Sequence, residues 1–563
     1  MSIVQPRSRF GSRKSVARDA FTLIEMMVAV TLVLIMMTMF AQIFQMAGGS
    51  ISKQRGLAEN DQRSRTLQTI IKADLDKRSF RWVHPFAANE DTSLPESYIG
   101  KRQGYFYISE NCYSRDDDDV LQLTVMSTIK DRNRDDTPYY GQALNCAFFP
   151  GFPGGPSFAF PNQPDADDSQ LTVNNTGQST VAEIVYFVRN GNLYRRQLLI
   201  REPLSAAGTN PQPTDTTFNN TNGKDLFDPD STAVFHYSST GPFWNDFDYS
   251  AYFATNALGN PSAHFLGSDS LDNTATAFNT IAAPFRRFGH FHLGGSGLAG
   301  RPKEFAADSA SADFIGRFTL QECSDSDFRY PQNLTTAPNN SPTDPSLALT
   351  LNADQVVVSP NDFSDGPRRG EDLLLSNVHA FDVQVWDVGF GGFVNIGDPN
   401  LPGTADFSMS KRLNNSYGPR LPATESSPTA VNACLDTWHP GLDIDGAAGN
   451  DNPPFRPLNR TIGSIGTWIT TQSYAAGTEV FPPTIPAGAP YFYRCIKGSI
   501  TTGIPSKPGW PEAAGLTFTD SNGAVWQAVD NRRPLRAIKI EIRFVDPSTQ
   551  QMRQLTIIHS LVD

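Results

Sequence analysis

Residues 21–40 read FTLIEMMVAVTLVLIMMTMF, a run that is apolar except for three threonines and one carboxylate. At 1.5 Å of rise per residue, such a run makes a helix of about 30 Å, the thickness of a bilayer's hydrocarbon core. The segment is therefore predicted to be a membrane helix, and the rest of the chain must fold as a body tethered to it. Arg7, Arg9, Arg13, Lys14 and Arg18 precede it against Asp19 alone. That bias predicts a single pass through the inner membrane with a cytoplasmic amino terminus and a body in the periplasm, or outside the cell if carried in a filament. A secretory signal has a shorter apolar core followed by a small-residue cleavage site. Here the helical pattern continues through Ala41-Gln42-Ile43-Phe44, so the segment is expected to be retained. Glu25 is the exception within it. An ionised carboxylate inside a membrane helix costs about 2.5–3.5 kcal/mol and calls for a partner, and residues 21–46 contain no cation.

Arg18-Asp19-Ala20 followed by Phe21-Thr22-Leu23-Ile24-Glu25 resembles the class III signal of type IV prepilins and type II secretion pseudopilins. The resemblance implies that a prepilin peptidase cuts between Ala20 and Phe21, where the family usually has Gly at the position of Ala20. It also implies that the new amino terminus of Phe21 is methylated and that the apolar helix serves as both anchor and assembly surface. A cut before Phe21 would create an ammonium able to neutralise Glu25 of a neighbouring subunit. Either ion alone in lipid is costly, whereas the pair satisfies both. The competing reading is a plain signal anchor with an incidental Glu.

No proline lies between Pro6 and Pro85, so the helix is expected to continue past the membrane with a hinge at Gly48-Gly49. Leu67, Ile70, Ile71 and Leu75 form one apolar stripe that should pack on a sheet. Residues 65–76 look most like the second half of the long helix in J-type minor pseudopilins. The size and pattern also resemble the large prepilin-like "cassette protein C" group of Verrucomicrobia.

Strands are expected at 104–109, 120–127, 378–388, 535–544 and 552–561, the last two as a terminal hairpin. A second hairpin, 181–188 with 193–199, carries Asn190-Gly191 at its turn. The fold class is α+β: a pilin-like long amino-terminal helix, membrane-spanning in its first half, packed on an antiparallel β-sheet with large loop-rich β insertions. The chain divides into a leader (1–20), an assembly helix (21–46), a periplasmic half-helix (47–84), a pilin-like β domain (85–466), an aromatic module (467–530) and the terminal hairpin (531–563). With 43 Gly and 41 Pro, the stretches 150–180, 203–367 and 395–464 read as long loops or small β additions. A net charge of -12 and a pI near 5.2 argue against a general nucleic-acid binder.

The module resembles a small β unit of phage tail and bacterial surface proteins, distantly like some chitin-binding domains. Exposed rings of Trp468, Tyr474, Tyr491, Tyr493, Trp510 and Trp526 would give a platform for stacking on sugars. The alternative is that they are the core of a unit too small to have another. Asp116, Asp117, Asp118 and Asp119, and separately Asp443, Asp445 and Asp451, supply hard oxygen ligands suited to calcium, although neither group has EF-hand spacing. Resemblance adds that some pseudopilins bind calcium in loops.

The five cysteines, Cys112, Cys146, Cys323, Cys434 and Cys495, have no metal-ligand spacing and read as scattered disulfides or buried thiols. Gly295-Ser296-Gly297-Leu298-Ala299-Gly300 matches GxGxxG without the strand and helix that a dinucleotide site needs. His290 and His292 lack a third ligand nearby in sequence. No nucleophile elbow or paired carboxylate spacing supports an enzyme.

The leading expectation is a non-enzymatic minor pseudopilin of a type II secretion assembly, working with other pseudopilins, the prepilin peptidase and the inner membrane, and in contact with secreted substrate. The alternative is a minor adhesive type IV pilin with a surface- or polysaccharide-binding insertion. A membrane-tethered polysaccharide-binding or hydrolytic protein is the third reading.

Overall fold

The computed structural model describes residues 22–83, 103–110, 116–129, 136–143, 176–200, 236–237, 243–245, 247–255, 261–266, 281, 286–290, 317–325, 328, 350–351, 357–358, 366–398, 400–402, 405, 433–437, 458–460, 463–470, 472–485, 491–499, 509–511, 514–546 and 550–562. The chain forms two units, Met1–Gln62 with Asp546–Gln550, and Arg63–Val545 with Gln551–Asp563. One helix, Leu23–Asp76, runs through both stretches of its sequence without a break. The hinge expected at Gly48-Gly49 does not interrupt it. A glycine costs a helix about 1 kcal/mol relative to alanine, which weakens a long helix without ending it.

In the first unit, Leu23–Met46 is long and apolar enough to cross a membrane and is apolar on every side apart from Glu25, Thr31, Thr38, Gln42 and Gln45. Its large side chains are all exposed, from 51% at Val33 to 82% at Leu23. In the second unit the helix follows a different pattern. Leu67, Ile71 and Leu75 are buried in the main core, four residues apart on one face, while Ile70 is only half-buried.

The main sheet of the second unit contains β1 (Phe106–Glu110), β2 (Val120–Met126), β3 (Val181–Arg189), β4 (Asn192–Leu199) and β5 (Leu373–Ser376). They are antiparallel in the order β5-β4-β3-β2-β1, with Ala433–Asp436 on the far edge beside β1. The β3–β4 hairpin pairs Arg189 with Asn192 across a two-residue turn. Asn190 and Gly191, at φ 51° and 68°, supply the two left-handed positions of a type I′ turn.

A second sheet is made of β6 (Val378–Asp387), β7 (Gly392–Val394), β8 (Ala537–Val545) and β9 (Met552–Ser560), in the order β7-β6-β8-β9. On β8, Ile538, Ile540, Ile542 and Phe544 are buried and alternate with the half-buried Lys539, Glu541 and Arg543, as a sheet with one face on the core requires. The two hairpins thus belong to separate sheets rather than to the single sheet expected. Asn377, at φ 57°, turns the chain from β5 into β6, and the Val378 N–H donates to the Gly191 carbonyl at 2.8 Å. The end of the helix meets both sheets. Asp74 accepts from Arg195 on β4 (2.7 and 3.0 Å) and from Tyr186 on β3, and Arg78 Nη2 donates to the Leu561 carbonyl at 2.8 Å.

The insertions contribute a three-stranded sheet (His236–Tyr237, Pro261–Phe265, Ala251–Thr255) and a two-stranded one (Tyr139–Gln142, Thr176–Ser179). Further along, Gly466–Thr467, Glu479–Phe481, Tyr491–Lys497, Val525–Asp530 and Thr517–Thr519 form a five-stranded sheet in that spatial order. This sheet has its own aromatic core, separate from the main one.

Candidate functional site

The helix starts at Leu23, and its first turn is closed by Thr22 and Glu25. The Thr22 N–H and hydroxyl donate to Glu25 Oε2 at 2.9 and 3.0 Å, and the Glu25 N–H donates back to Thr22 Oγ1 at 3.3 Å. This is a capping box, and its signature, Thr-x-x-Glu ahead of an apolar run, stands in the sequence as Thr22-Leu23-Ile24-Glu25. Reading Glu25 only as an intermolecular partner had passed over it. The other threonines of the span are also satisfied locally: Thr31 donates to the Met27 carbonyl at 2.7 Å and Thr38 to that of Ile35 at 2.8 Å. Among the described residues, Glu25 Oε1 accepts no hydrogen bond. Residues 23–40 therefore form an apolar rod in which, among the described residues, the polar group left open to an outside partner is half of the Glu25 carboxylate, one turn from the start; Gln42 and Gln45 lie beyond it at the far end of the span. Ala20 and Phe21 lie outside the described residues.

Residues 17–41 match the model of the prokaryotic N-terminal methylation motif. The chain carries a type IV prepilin-like signal. This prepilin-like signal implies processing by a prepilin peptidase and pilin or pseudopilin partners in general, and Leu23–Met46 fits a single-pass membrane anchor. No curated protein and no solved structure matches the chain.

Beyond the signal, the aspartate run does not form one loop of four ligands. The Asp116 side chain pairs with Arg543, and its carbonyl accepts from the Phe381 N–H at 2.5 Å. Asp119 is buried and faces Glu110, at the end of β1, and Asp382, on β6. One oxygen of each of these three residues lies within 4.8 Å of the others. Asp119 Oδ2 accepts from the Val383 N–H at 2.7 Å, and Asp382 Oδ2 from Gln384 Nε2 at 2.8 Å. Burial pushes the Glu110 carboxyl well above the ordinary range, and Asp119, Asp118 and Asp382 add to the effect. Burial raises Asp119 likewise, with Asp382 and Asp118 contributing. Asp382 is pushed up to about 6, by burial first and then by Glu541. Glu110 and Asp382 were not among the expected ligands. Strand alternation tells which face a residue takes, not which distant strand lies beside it. Asp443, Asp445 and Asp451 fall outside the described residues.

The aromatic platform is corrected by burial. Trp468, Tyr474, Tyr491, Tyr493 and Trp526 are all 5% exposed or less and form the module's own core, with the half-buried Trp510 packed on them. Ring centroids lie 4.3 Å apart for Tyr493–Trp510 and 5.0 Å for Tyr474–Trp526. Trp526 Nε1 donates to Asp520 Oδ2 at 3.1 Å, and the Tyr493 hydroxyl to the Pro511 carbonyl at 2.8 Å. Beside them the core holds only small or medium side chains, Val480, Cys495, Ala524 and Ala528, so the flat faces that would meet a sugar are turned inward to fill the interior.

His290 is buried edge-on against Tyr107, with Nδ1 3.3 Å from the Phe288 carbonyl, a packed core histidine. His292 and the glycine-rich 295–300 segment are outside the described residues. Cys323, Cys434 and Cys495 are buried, Cys323 and Cys495 as free thiols. Cys112 and Cys146 are not described.

Proposed function

We propose that the chain is a non-enzymatic, J-type minor pseudopilin-like subunit of a type II secretion, type IV filament-like assembly. After the cut before Phe21, its methylated amino terminus pairs with Glu25 of an adjacent subunit, and the Leu23–Met46 helices bury one another's apolar surface as subunits join. The long helix with its last turns against antiparallel sheets is consistent with a pilin-like packing. One observation carries this reading. Within the matched methylation motif begins a helix that is apolar all round over residues 23–40 apart from Glu25, Thr31 and Thr38, with its hydroxyls satisfied and Glu25 Oε1 without a hydrogen-bond donor among the described residues. Glu25 then acts twice, with Oε2 closing its own helix and Oε1 meeting the neighbour's ammonium.

Glu25→Gln keeps the apolar length and can still accept from Thr22, but it removes the charge. Membrane insertion is expected to persist while cross-linking to partner pilins falls to background. Co-assembly at the wild-type level would refute the pairing. Mass spectrometry of the purified protein should find a mature chain beginning at methylated Phe21, and a retained leader would remove the basis of the model. The adhesive reading loses its main support with the burial of the module's aromatic rings.

A further inference from the structure

We propose that Glu110, Asp119 and Asp382 bind one hard divalent cation, calcium by its coordination chemistry, which ties β1 and the start of β2 in the main sheet to β6 in the second sheet. The inference is independent of the filament role and rests on what the three carboxylates lack. Glu110 is 2% exposed, and among the described residues neither of its oxygens is met by an N–H or O–H donor. Asp119 Oδ1 is equally buried and without a donor, its other oxygen being held by the Val383 amide. Among the described residues no cation forms an ion pair with any of the three. Arg543 is engaged by Asp116, and Lys539 by Glu541 at 2.8 Å.

Buried carboxylates in this number are not stable without compensation. The Asp119 carboxylate can serve Glu110 as a partner only if the two share a proton. That would engage one oxygen of each and leave the second Glu110 oxygen without a partner and the facing Asp382 with only the Gln384 amide and the nearby Lys539 to offset it. A cation compensates all three at once.

Coordination chemistry selects the ion. Calcium takes several carboxylate oxygens in a flexible geometry at about 2.3–2.6 Å, whereas magnesium demands a near-ideal octahedron and keeps several of its waters. Three buried carboxylates within 4.8 Å of one another suit the first of these habits. The ligands are also positioned from behind. The Val383 amide fixes Asp119 and Gln384 fixes Asp382, so each of these carboxylates is held by one oxygen while the side chain faces the cluster.

The test uses the full chain in detergent, stripped with EDTA, dialysed, and titrated with calcium chloride or magnesium chloride by calorimetry and by thermal melting. About one calcium per chain is expected, with a raised melting temperature and a weaker response to magnesium. Glu110→Gln should abolish the calcium response, and Gln384→Ala should weaken affinity about 10- to 100-fold. Asp445→Asn should leave it intact. If Glu110→Gln does not fold, Asp382→Asn provides the same readout. Absence of heat and of any melting shift at millimolar calcium would overturn the site, as would full binding by Glu110→Gln or loss of binding in Asp445→Asn. A Glu110→Gln protein more stable than a calcium-indifferent wild type would identify a shared proton in place of the ion.

Discussion

Residues 23–46 and 63–76 belong to the same helix but are stabilised from different sources. In the first stretch every large apolar side chain is exposed, on all faces of the helix alike. In the second, a stripe no wider than Leu67, Ile71 and Leu75 is driven into the core, while Asp74 is held by Arg195 and Tyr186. Helices take most of their stability from what covers an apolar face. For 63–76 the cover is the chain's own sheets. For 23–46 no such cover stands among the described residues, and in a single-pass membrane anchor it comes from lipid.

The contrast is sharpest where the body is least forgiving. Arg287 and Asp436 are both fully buried, joined by two hydrogen bonds of 2.9 and 2.8 Å, and the guanidinium lies 3.9 Å over the Tyr105 ring. Arg287→Ala strands Asp436 without its counter-ion in the interior. Denaturant unfolding of the detergent-solubilised protein should show a loss of about 3–5 kcal/mol. A loss under about 1 kcal/mol would mean that water reaches the pair.

Next in size is the helix itself. Ile71→Ala removes a fully buried side chain and should cost the body about 2–5 kcal/mol by the same measurement. A smaller effect would show that the second half of the helix leans on the sheets without being needed by them.

The periodicities that decide these elements are written locally, so they were legible. The alternation of Ile538, Ile540 and Ile542 placed a strand, and Asn190-Gly191 placed a turn. The split into two sheets was not legible, because it depends on one positive φ at Asn377, a conformation that asparagine tolerates but does not announce. Glu110, Asp119 and Asp382 stayed hidden for a related reason: their neighbourhood is a product of sheet order, not of spacing. The tryptophans misled in the other direction, since composition alone cannot tell a ring that faces a ligand from a ring that fills a core.

A smaller effect belongs to the aromatic module. Burial pushes the Glu479 carboxyl up, but hydrogen bonds from Arg494 and Arg460 outweigh it, so the group is held below the ordinary carboxylate value. A depressed folded-state value adds stability above the unfolded pKa, about 4.3, and that stability is lost as pH falls through the lower folded value. Glu479→Gln should therefore lower stability slightly at pH 7 and flatten the acid limb by the same small amount, the amount being small because both arginines are exposed. An unchanged acid limb would show that the pair is silent.

The smallest expected effect tests the comparison most directly. Leu32→Ala removes as much apolar surface as many core truncations, yet Leu32 lies in the exposed span and touches no part of the core. If the span's burial is supplied from outside the chain, unfolding of the detergent-solubilised body should stay within about 0.5 kcal/mol of the parent. The loss should instead appear in cross-linking to neighbouring subunits in the membrane. A destabilised body with unimpaired cross-linking would reverse the assignment, making the amino-terminal half of the helix part of this chain's own fold.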